Sequence, residues 1–406
     1  MVQEDPQAGA HIFWGGRDGI DFFAKLGKKR SLLPGVRYCS TNTADLNRDG
    51  YLDIILGKEA KELTFYYGSP DGYHLGGRII MPLPTPAGSF VLADLDKDDW
   101  LDIAFGVGKD GWRIHPGGPD GFRQDRCLTI GSHYFTCLET ADLNNDGWLD
   151  IIAGIKEVDK ARPRACGVFV FWGGPNGFKS WNAQRLPGFY VVSPLVADLD
   201  GDGFLDIFTP HYWGIGTREF VPSYIFWGGA KGFDINRRTP LINNSAICGL
   251  AADFNRDGLL DLAVPNHRVN GTHYAFSKVF YNDGNRFWNP RIVHLPTQGP
   301  HYMWDEDMGH IYDRKFRHRY QSSVFAWNRS VQTGRLTYLA DVPQGTNLAF
   351  SFRAAAREES LTTQPWRTFD PDTFSLDPSN RFLQYRATFT SDNGDRYPTL
   401  DRVASS

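Results

Sequence analysis

Oxygen-bearing side chains recur along the chain at a spacing that suits a metal ion. The first copy, DLNRDGYLD, starts at Asp45 and carries carboxylate or amide oxygens at its positions 1, 3, 5 and 9. Position 7 can add a backbone carbonyl, and glycine at position 6 permits the positive φ that lets a loop wrap around an ion. Calcium accepts about six to eight such oxygens with flexible geometry, whereas magnesium gives up its waters reluctantly. The pattern therefore predicts a calcium site.

Five copies of this motif, which we name acidic loops one to five, make the prediction specific. Asp and Asn also form ordinary turns, but turn formation alone does not explain five copies at nearly regular spacing. Asp99 replaces the glycine in the second loop, so that site is expected to be weaker. The predicted ligands are Asp45, Asn47, Asp49, Tyr51, Asp53, Asp94, Asp96, Asp98, Trp100, Asp102, Asp142, Asn144, Asp146, Trp148, Asp150, Asp198, Asp200, Asp202, Phe204, Asp206, Asp253, Asn255, Asp257, Leu259 and Asp261.

The segments between the acidic loops predict the elements that position them. A glycine-rich hairpin follows each loop, as in FWGGPNGF at 171–178, and one period of about fifty residues reads as four short strands. Four antiparallel strands of this length make one propeller blade. We therefore predict an all-β fold with a β-propeller over residues 1–314. Six blades are preferred and seven are possible, with the ring closed by pairing residues 290–313 with residues 10–34.

The repeat stops near Phe316, and the rest of the chain has a different pattern. Residues 334–353 and 380–390 alternate apolar and polar side chains with no helical period. This alternation predicts a second unit, a small β-sandwich over residues 315–406. It would serve either as a carbohydrate-binding module or as a packing domain.

The acidic loops resemble those of the FG-GAP/VCBS repeat family, which includes the propeller of integrin α subunits. The resemblance covers roughly residues 10–313 and implies about five structural Ca²⁺ ions. It also implies a secreted, periplasmic or cell-surface protein, because millimolar calcium outside the cytoplasm keeps such loops filled. No signal peptide is visible at the start of the sequence.

The composition narrows the classes of partner. The chain has no apolar stretch long enough to span a membrane, and it has no basic stripe or motif typical of nucleic-acid binding. The formal net charge is −4, and five bound Ca²⁺ ions would make it positive. A positive holo-protein favours an anionic partner, such as an acidic polysaccharide or another glycan.

Histidine, tyrosine and arginine concentrate in the connections predicted for the propeller face opposite the acidic loops. Any one of them has an ordinary explanation as a packed or solvated loop residue, but the group as a whole predicts a binding site. His211, Tyr212, His267 and Arg218 are the catalytic candidates. The substrate-binding candidates are Arg37, Tyr38, His133, Tyr134, Tyr190, Trp213, Arg268, His273, Tyr274, His301 and Tyr302.

Two functions fit these residues. A polysaccharide lyase needs Arg or Lys to neutralise a uronate carboxylate, and His or Tyr to remove the C5 proton. Several propeller lyases resemble this arrangement. A hydrolase would need paired carboxylates, and only Glu157 and Glu219 are available in these connections. The alternative is a non-catalytic lectin or adhesion module, in which Trp213 and the tyrosines stack on sugar rings.

Overall fold

The chain folds almost entirely into antiparallel β-sheets. The computed structural model describes residues 9–15, 20–21, 23, 29–34, 38–58, 61–85, 89–107, 110–131, 133, 135–155, 166–214, 220–269, 271–300, 317–327, 333–343, 346–369, 373–391 and 397–405. The described residues contain no helix with the length and apolar character that a membrane crossing requires. Short 3-10 turns occur at Leu75–Gly77, Gln124–Arg126 and Glu358–Thr363.

Five four-stranded sheets follow one another and form blades one to five of a β-propeller. Within each sheet the strands lie side by side in chain order. Blade one has strands Tyr38–Ala44, Asp53–Lys58, Glu62–Tyr66 and Ile79–Pro82. Blade two has Phe90–Ala93, Asp102–Gly106, Trp112–His115 and Leu128–Ile130. Blade three has Phe135–Ala141, Asp150–Ile155, Gly167–Phe171 and Ala183–Pro187. Blade four has Leu195–Ala197, Asp206–Thr209, Val221–Phe226 and Arg238–Asn243. Blade five has Leu250–Ala252, Asp261–Val264, Tyr274–Tyr281 and Arg291–Gln298.

The acidic loops connect the first and second strands, as predicted. In blade one the alanine before the loop, Ala44, pairs with Asp53 at position 9, and the other four blades repeat this register. The glycine-rich segments connect the third and fourth strands. The four-stranded reading of each repeat is therefore confirmed.

The core lies between neighbouring blades. Apolar side chains from blades one and two form one cluster, and further clusters join two to three, three to four and four to five. Strands Gly9–Phe13 and Arg30–Pro34 form a two-stranded sheet that packs on blade one through Leu33 and Ile54. Blades stacked in this way bury apolar area on both faces of each sheet.

The predicted ring closure involves both described and undescribed residues. Arg291–Gln298 is the fourth strand of blade five and pairs with Tyr274–Tyr281, while Gly9–Phe13 pairs with Arg30–Pro34. Residues 301–316, which hold the rest of the predicted contact, lie outside the described residues. Closure and the blade count stay predictions.

Two further sheets follow the repeats. A five-stranded sheet contains Arg317–Gln321, Phe325–Ala326, Thr346–Ala355, Arg367–Thr368 and Phe382–Ser391. A three-stranded sheet contains Thr333–Asp341, Thr373–Ser375 and Thr399–Ser405. The two contact each other through the ring pairs Tyr338–Phe350 and Phe352–Phe374, with centroids 4.7 and 5.4 Å apart. The strands predicted from alternation are present, and the division into domains stays a prediction.

Candidate functional site

The acidic loops have one shared hydrogen-bond pattern. In loop one, the Gly50 N–H donates to the Asp45 carboxylate, the Asp49 N–H donates to the Asn47 side chain, and the Tyr51 N–H donates to Asp49. The equivalent bonds occur in all five loops. Position 6 has positive φ throughout, from 70° at Asp99 to 90° at Gly147 and Gly203. The backbone thus folds around the oxygens at positions 1, 3 and 5.

The aspartate at position 9 has a structural role that sequence reasoning missed. One oxygen of Asp53 accepts the Leu46 N–H within the loop, at 2.8 Å, and the other accepts the Gly68 N–H of the hairpin, also at 2.8 Å. The equivalent aspartates of the other four blades accept the same pair of bonds. Each of these carboxylates therefore joins its acidic loop to the hairpin of the same blade.

The hairpin glycines are a sequence signal for this contact between the acidic loop and the hairpin. A Cβ at Gly68 would lie 2.4 Å from the Leu52 carbonyl oxygen, and Gly117, Gly173 and Gly228 stand equally close to the carbonyl at position 8 of their own loops. Only glycine fits such an approach without moving the backbone. In blade five Asn282 takes this place.

Burial shapes the electrostatics of these carboxylates. Removal from water raises the pKa of Asp102 to about 7 and those of Asp150 and Asp206 to about 8. It also raises the pKa of Asp198, to about 6. Neighbouring carboxylates add to the increase, because each disfavours a second negative charge. A bound cation would relieve both effects, so these loops suit a positive ion.

Loops two and four bring three carboxylates closest together. In loop two, oxygens of Asp94, Asp96 and Asp102 lie within 4.8 Å of one another. Asp198, Asp200 and Asp206 do the same in loop four, where a buried oxygen of Asp198 accepts no hydrogen bond from any residue that the structure describes. Carboxylate oxygens are the ligands that calcium prefers. The donor set therefore fits a calcium ion in these two loops.

Loops one, three and five have asparagine at position 3, which changes the local bonding. The amide of Asn47 donates to Asp49 at 2.9 Å, and Asn144 and Asn255 donate to Asp146 and Asp257 at 3.0 and 2.8 Å. An amide both donates and accepts, so these loops contain less carboxylate repulsion than loops two and four.

Neighbouring acidic loops contact each other through the residue at position 4, which has positive φ in all five loops. The Arg48 guanidinium lies 4.5 Å from the Trp100 ring centroid of the next loop, and the Lys97 ammonium lies 4.3 Å from that of Trp148. Asn145 donates to the Gly203 carbonyl of loop four at 2.7 Å. We name these three contacts the loop joints.

Loop four contacts the next blade differently, through the hairpin of blade five. Position 4 of loop four is Gly201, which has no side chain to extend. Instead, Arg286 of the blade-five hairpin places its Nη2 2.6 Å from Asp200, and its guanidinium lies 5.3 Å from the Trp227 ring centroid. Arginine thus supplies a cation to the most carboxylate-rich part of loop four.

Connections between blades, and between the second and third strands within a blade, bring four of the predicted binding residues together. Tyr190–Val191 pairs with His211–Trp213, so a connection between blades lies beside a connection within blade four. Tyr190 contacts Tyr212, Tyr212 contacts His267, and His267 contacts His273, with ring centroids 5.6, 5.4 and 4.6 Å apart. We name these four residues the His-Tyr cluster.

Backbone and side-chain bonds hold the His-Tyr cluster in place. The Ser245 hydroxyl donates to the Tyr212 carbonyl at 2.8 Å, and the His267 N–H donates to the Ser245 carbonyl at 3.1 Å. His267 is buried, Tyr190 and Tyr212 are half-buried, and His273 is exposed. The cluster therefore reaches from the interior of the blades to solvent.

His211 lies close to the cluster but is fully buried. Its Nδ1 donates to the Pro222 carbonyl, and its ring packs against Phe189 and Tyr224. Burial lowers the pKa of His211 to about 4, and Nε2 has no hydrogen-bond partner among the described residues. The ring is thus neutral and shielded from solvent, which gives it a packing role whatever else it does.

The remaining predicted residues divide into two groups. Trp213 and Tyr274 are exposed near the cluster, Arg268 is half-buried, and His133 packs on Phe169 in blade three. Arg37, Tyr134, Glu157, Arg218, Glu219, His301 and Tyr302 lie outside the described residues, as does the side chain of Tyr38.

An open cleft of about 330 Å³ lies beside the acidic loops. Leu46 and Asn47 of loop one form one side, and the blade-two hairpin from Gly117 to Phe122 forms the other. The His-Tyr cluster is not part of its lining.

Comparison with known proteins supports the repeat assignment. A family model described as FG-GAP-like repeat matches residues 45–105 and 142–209, which contain acidic loops one to four. This match confirms the predicted resemblance of the repeats. No curated protein matches the chain.

Several solved structures are similar to parts of the chain at low sequence identity. BBS1N in complex with ARL6DN, soaked with lead, is 10% identical, with 65% of this chain and 91% of that chain covered and a TM-score of 0.33. The Dos1 propeller is 8% identical, with coverage of 60% and 56% and a TM-score of 0.42. BBS1N soaked with mercury is 12% identical, with coverage of 64% and 70% and a TM-score of 0.40.

Proposed function

Because the chain has FG-GAP-like repeats and a β-propeller fold, we propose that it is a calcium-stabilised propeller that acts on an anionic polysaccharide. The reaction would be β-elimination beside a uronate carboxylate. The observation that carries the proposal is the convergence of Tyr190, Tyr212, His267 and His273 on one site. Histidine and tyrosine are the residues that remove a proton in such a reaction.

The exposure of each residue suggests its role. His273 is exposed and contacts His267, so it is the histidine best placed to take the C5 proton. The electron pair of the broken C5–H bond forms the C4–C5 double bond. At the same time the bond between C4 and the glycosidic oxygen breaks, and that oxygen takes up a proton. Tyr212 is the candidate acid for the leaving oxygen, and Arg268 or Arg218 would neutralise the carboxylate. Of the original catalytic candidates, His211 would act by packing behind the site.

Incubation with a panel of uronate-containing polysaccharides tests the proposal. The unsaturated product absorbs ultraviolet light, and its appearance would identify the lyase. His273→Ala should abolish turnover without loss of thermal stability, whereas His294→Ala, an exposed histidine on the outer strand of blade five, should leave turnover unchanged. Wild-type protein that forms no product from any uronate polymer would rule out the lyase.

A non-catalytic lectin is the second candidate, and two exposed rings favour it. Trp213 is 45% exposed and Tyr274 is 77% exposed beside the His-Tyr cluster. Exposed aromatic rings next to half-buried polar groups suit stacking on sugar rings. Glycan-array binding that is lost in Trp213→Ala, without product formation, would support the lectin over the lyase.

We also propose that the five acidic loops hold structural calcium. Loops two and four supply three carboxylates each at close range, and the bound ion would neutralise these crowded carboxylates. A ligand present at about a hundred times its Kd stabilises the native state by about 2.7 kcal/mol per site. EDTA should therefore lower the melting temperature, and added calcium should restore it. An unchanged melting temperature would contradict this assignment. A need for millimolar calcium would place the protein outside the cytoplasm, as a secreted, periplasmic or surface protein.

A further inference from the structure

One face of the five-stranded sheet collects arginines from three strands. Arg386 lies opposite Gln321 on one neighbouring strand and opposite Ser351 on the other. Cross-strand partners share a face, as do residues two apart along a strand. Arg319 and Arg353 are two residues from Gln321 and Ser351, so all three arginines lie on this face. The opposite face carries Phe350, Phe352 and Tyr385 toward the three-stranded sheet.

A tryptophan organises two of these arginines. The Arg386 guanidinium carbon is 3.9 Å from the Trp366 ring centroid, and the Arg353 guanidinium carbon is 4.7 Å from it. Both distances lie within the range for cation–π contact. The indole is half-exposed and therefore keeps part of its ring accessible to a ligand.

Arg353 is held rigidly and serves as a fixed positive charge beneath the face. It is 9% exposed, its Nε and Nη2 donate to Gln384 at 3.0 and 2.7 Å, and its Nη1 donates to the Thr362 carbonyl at 3.1 Å. All these acceptors are neutral. Burial of an arginine without a carboxylate is costly, so a buried charge held only by neutral groups can still attract an anion.

Arg319 is exposed and Arg386 is half-buried, so these two arginines are the part of the group that solvent can reach. Among the residues that the structure describes, no carboxylate forms an ion pair with either one. Partial burial, followed by the charges of Arg319 and Arg353, lowers the pKa of Arg386. Three guanidinium groups near one another, with no ion-paired carboxylate among the described residues, repel one another, and an oxyanion would remove that cost.

We propose that Arg319, Arg353, Arg386 and Trp366 form a binding site for the carboxylate or sulfate groups of an acidic polysaccharide. Arginine binds such oxyanions with paired N–H donors, and every cation in residues 316–406 is arginine rather than lysine. Asn347, Ser351 and Thr388 add neutral hydrogen-bonding groups on the same face, which suits the hydroxyls of a sugar chain. The site is separate from the His-Tyr cluster and does not depend on turnover there.

Binding of the full chain to three polymers tests this site. Isothermal titration with polygalacturonate, dextran sulfate and unmodified dextran separates carboxylate, sulfate and neutral sugar. Wild-type protein should bind at least one of the charged polymers, with affinity that falls as salt rises, and should not bind dextran. The polymer preferred tells which oxyanion the site takes.

Two variants with the same charge change locate the site. Arg386→Gln should weaken binding at least about tenfold, since a hydrogen bond to a charged group contributes about 1.5–3 kcal/mol. Arg402→Gln, an exposed arginine on the three-stranded sheet, should leave affinity within about twofold. Arg386→Lys keeps the charge but loses the paired donors, so its affinity should fall between wild type and Arg386→Gln. Melting curves verify that each variant is folded.

Three results would overturn the proposal. One is wild-type protein that binds neither charged polymer. Another is equal weakening by Arg386→Gln and Arg402→Gln, which would indicate general electrostatic attraction. The third is tighter binding of a single-stranded DNA oligonucleotide than of either polysaccharide. Retained binding by a protein without lyase activity would refute the proposed reaction but leave this site standing.

Discussion

Buried His211 makes a quantitative prediction about stability and pH. Its pKa falls from an ordinary 6.5 to about 4 in the folded protein, chiefly because burial disfavours the charged ring, with a further contribution from Arg238. The unfolded chain therefore binds the proton first as the pH drops. Stability from this residue is complete above pH 6.5 and is lost as the pH falls toward 4. The difference corresponds to about 3 kcal/mol.

A comparison with His211→Asn isolates this effect from the acidic loops. Asparagine keeps an N–H near the Pro222 carbonyl but does not titrate. Free energies of unfolding would be measured by denaturant titration with tryptophan fluorescence, at fixed calcium, from pH 4 to pH 7.5. Carboxylates that lose calcium at low pH affect both proteins alike, so the difference between them reports His211.

The expected result is a difference that depends on pH. The variant should be the less stable protein at pH 7.5, because it loses the packing against Phe189 and Tyr224. The difference in free energy of unfolding between wild type and variant should shrink by about 3 kcal/mol as the pH falls from 6.5 to 4. A constant difference across this range would mean that the ring is not buried and neutral, and the packing role would be refuted.

Further predictions concern the acidic loops. Asp99→Gly should raise the free energy of unfolding by about 1 kcal/mol, because Asp99 has a strained φ of 70° that glycine adopts freely. Gly147→Ala should lower the free energy of unfolding by a similar amount, because it places a side chain at a positive φ. Denaturant titration measures both, and a destabilised Asp99→Gly protein would contradict the strain argument. Lys97→Ala and Trp148→Ala should show a coupling energy of about 0.5–1 kcal/mol in a double-mutant cycle, and additive effects would mean that this loop joint contributes nothing. Asp150→Asn should remain destabilising by about 2 kcal/mol in EDTA, because the carboxylate joins the loop to the hairpin without an ion. Equal stability of this variant and wild type in EDTA would show that the carboxylate acts only as a metal ligand.

The repeats made most of the propeller predictable. A nine-residue loop that recurs every fifty residues fixes where each second strand begins, and the pairing of Ala44 with Asp53 recurs in all five blades. The role of Asp53 in holding its acidic loop to the hairpin was not predictable in the same way. Its partner Gly68 lies fifteen residues further along, and only the folded hairpin brings that N–H to the carboxylate.

For the His-Tyr cluster, the side of the blades on which the residues lie was predictable, but the burial of each side chain was not. Chain order places 190–191 and 211–213 in connections on the same side of the blades, and the structure pairs them. The sequence does not show that Gly188 leaves room for the His211 ring, where a Cβ would lie 2.5 Å from Nε2. Solvent exposure therefore differs among neighbouring residues that look alike in the sequence.

The three loop joints run in one direction along the chain, since in each of them position 4 of one loop contacts the following loop. In the terms used for assemblies, this is a heterologous head-to-tail contact, whose two sides are different surfaces. The described series therefore ends with two unlike surfaces, Tyr51 on loop one and Arg256 on loop five, both exposed. Where a loop lacks the side chain that would make the contact forward, as at Gly201, the following blade supplies it instead through Arg286.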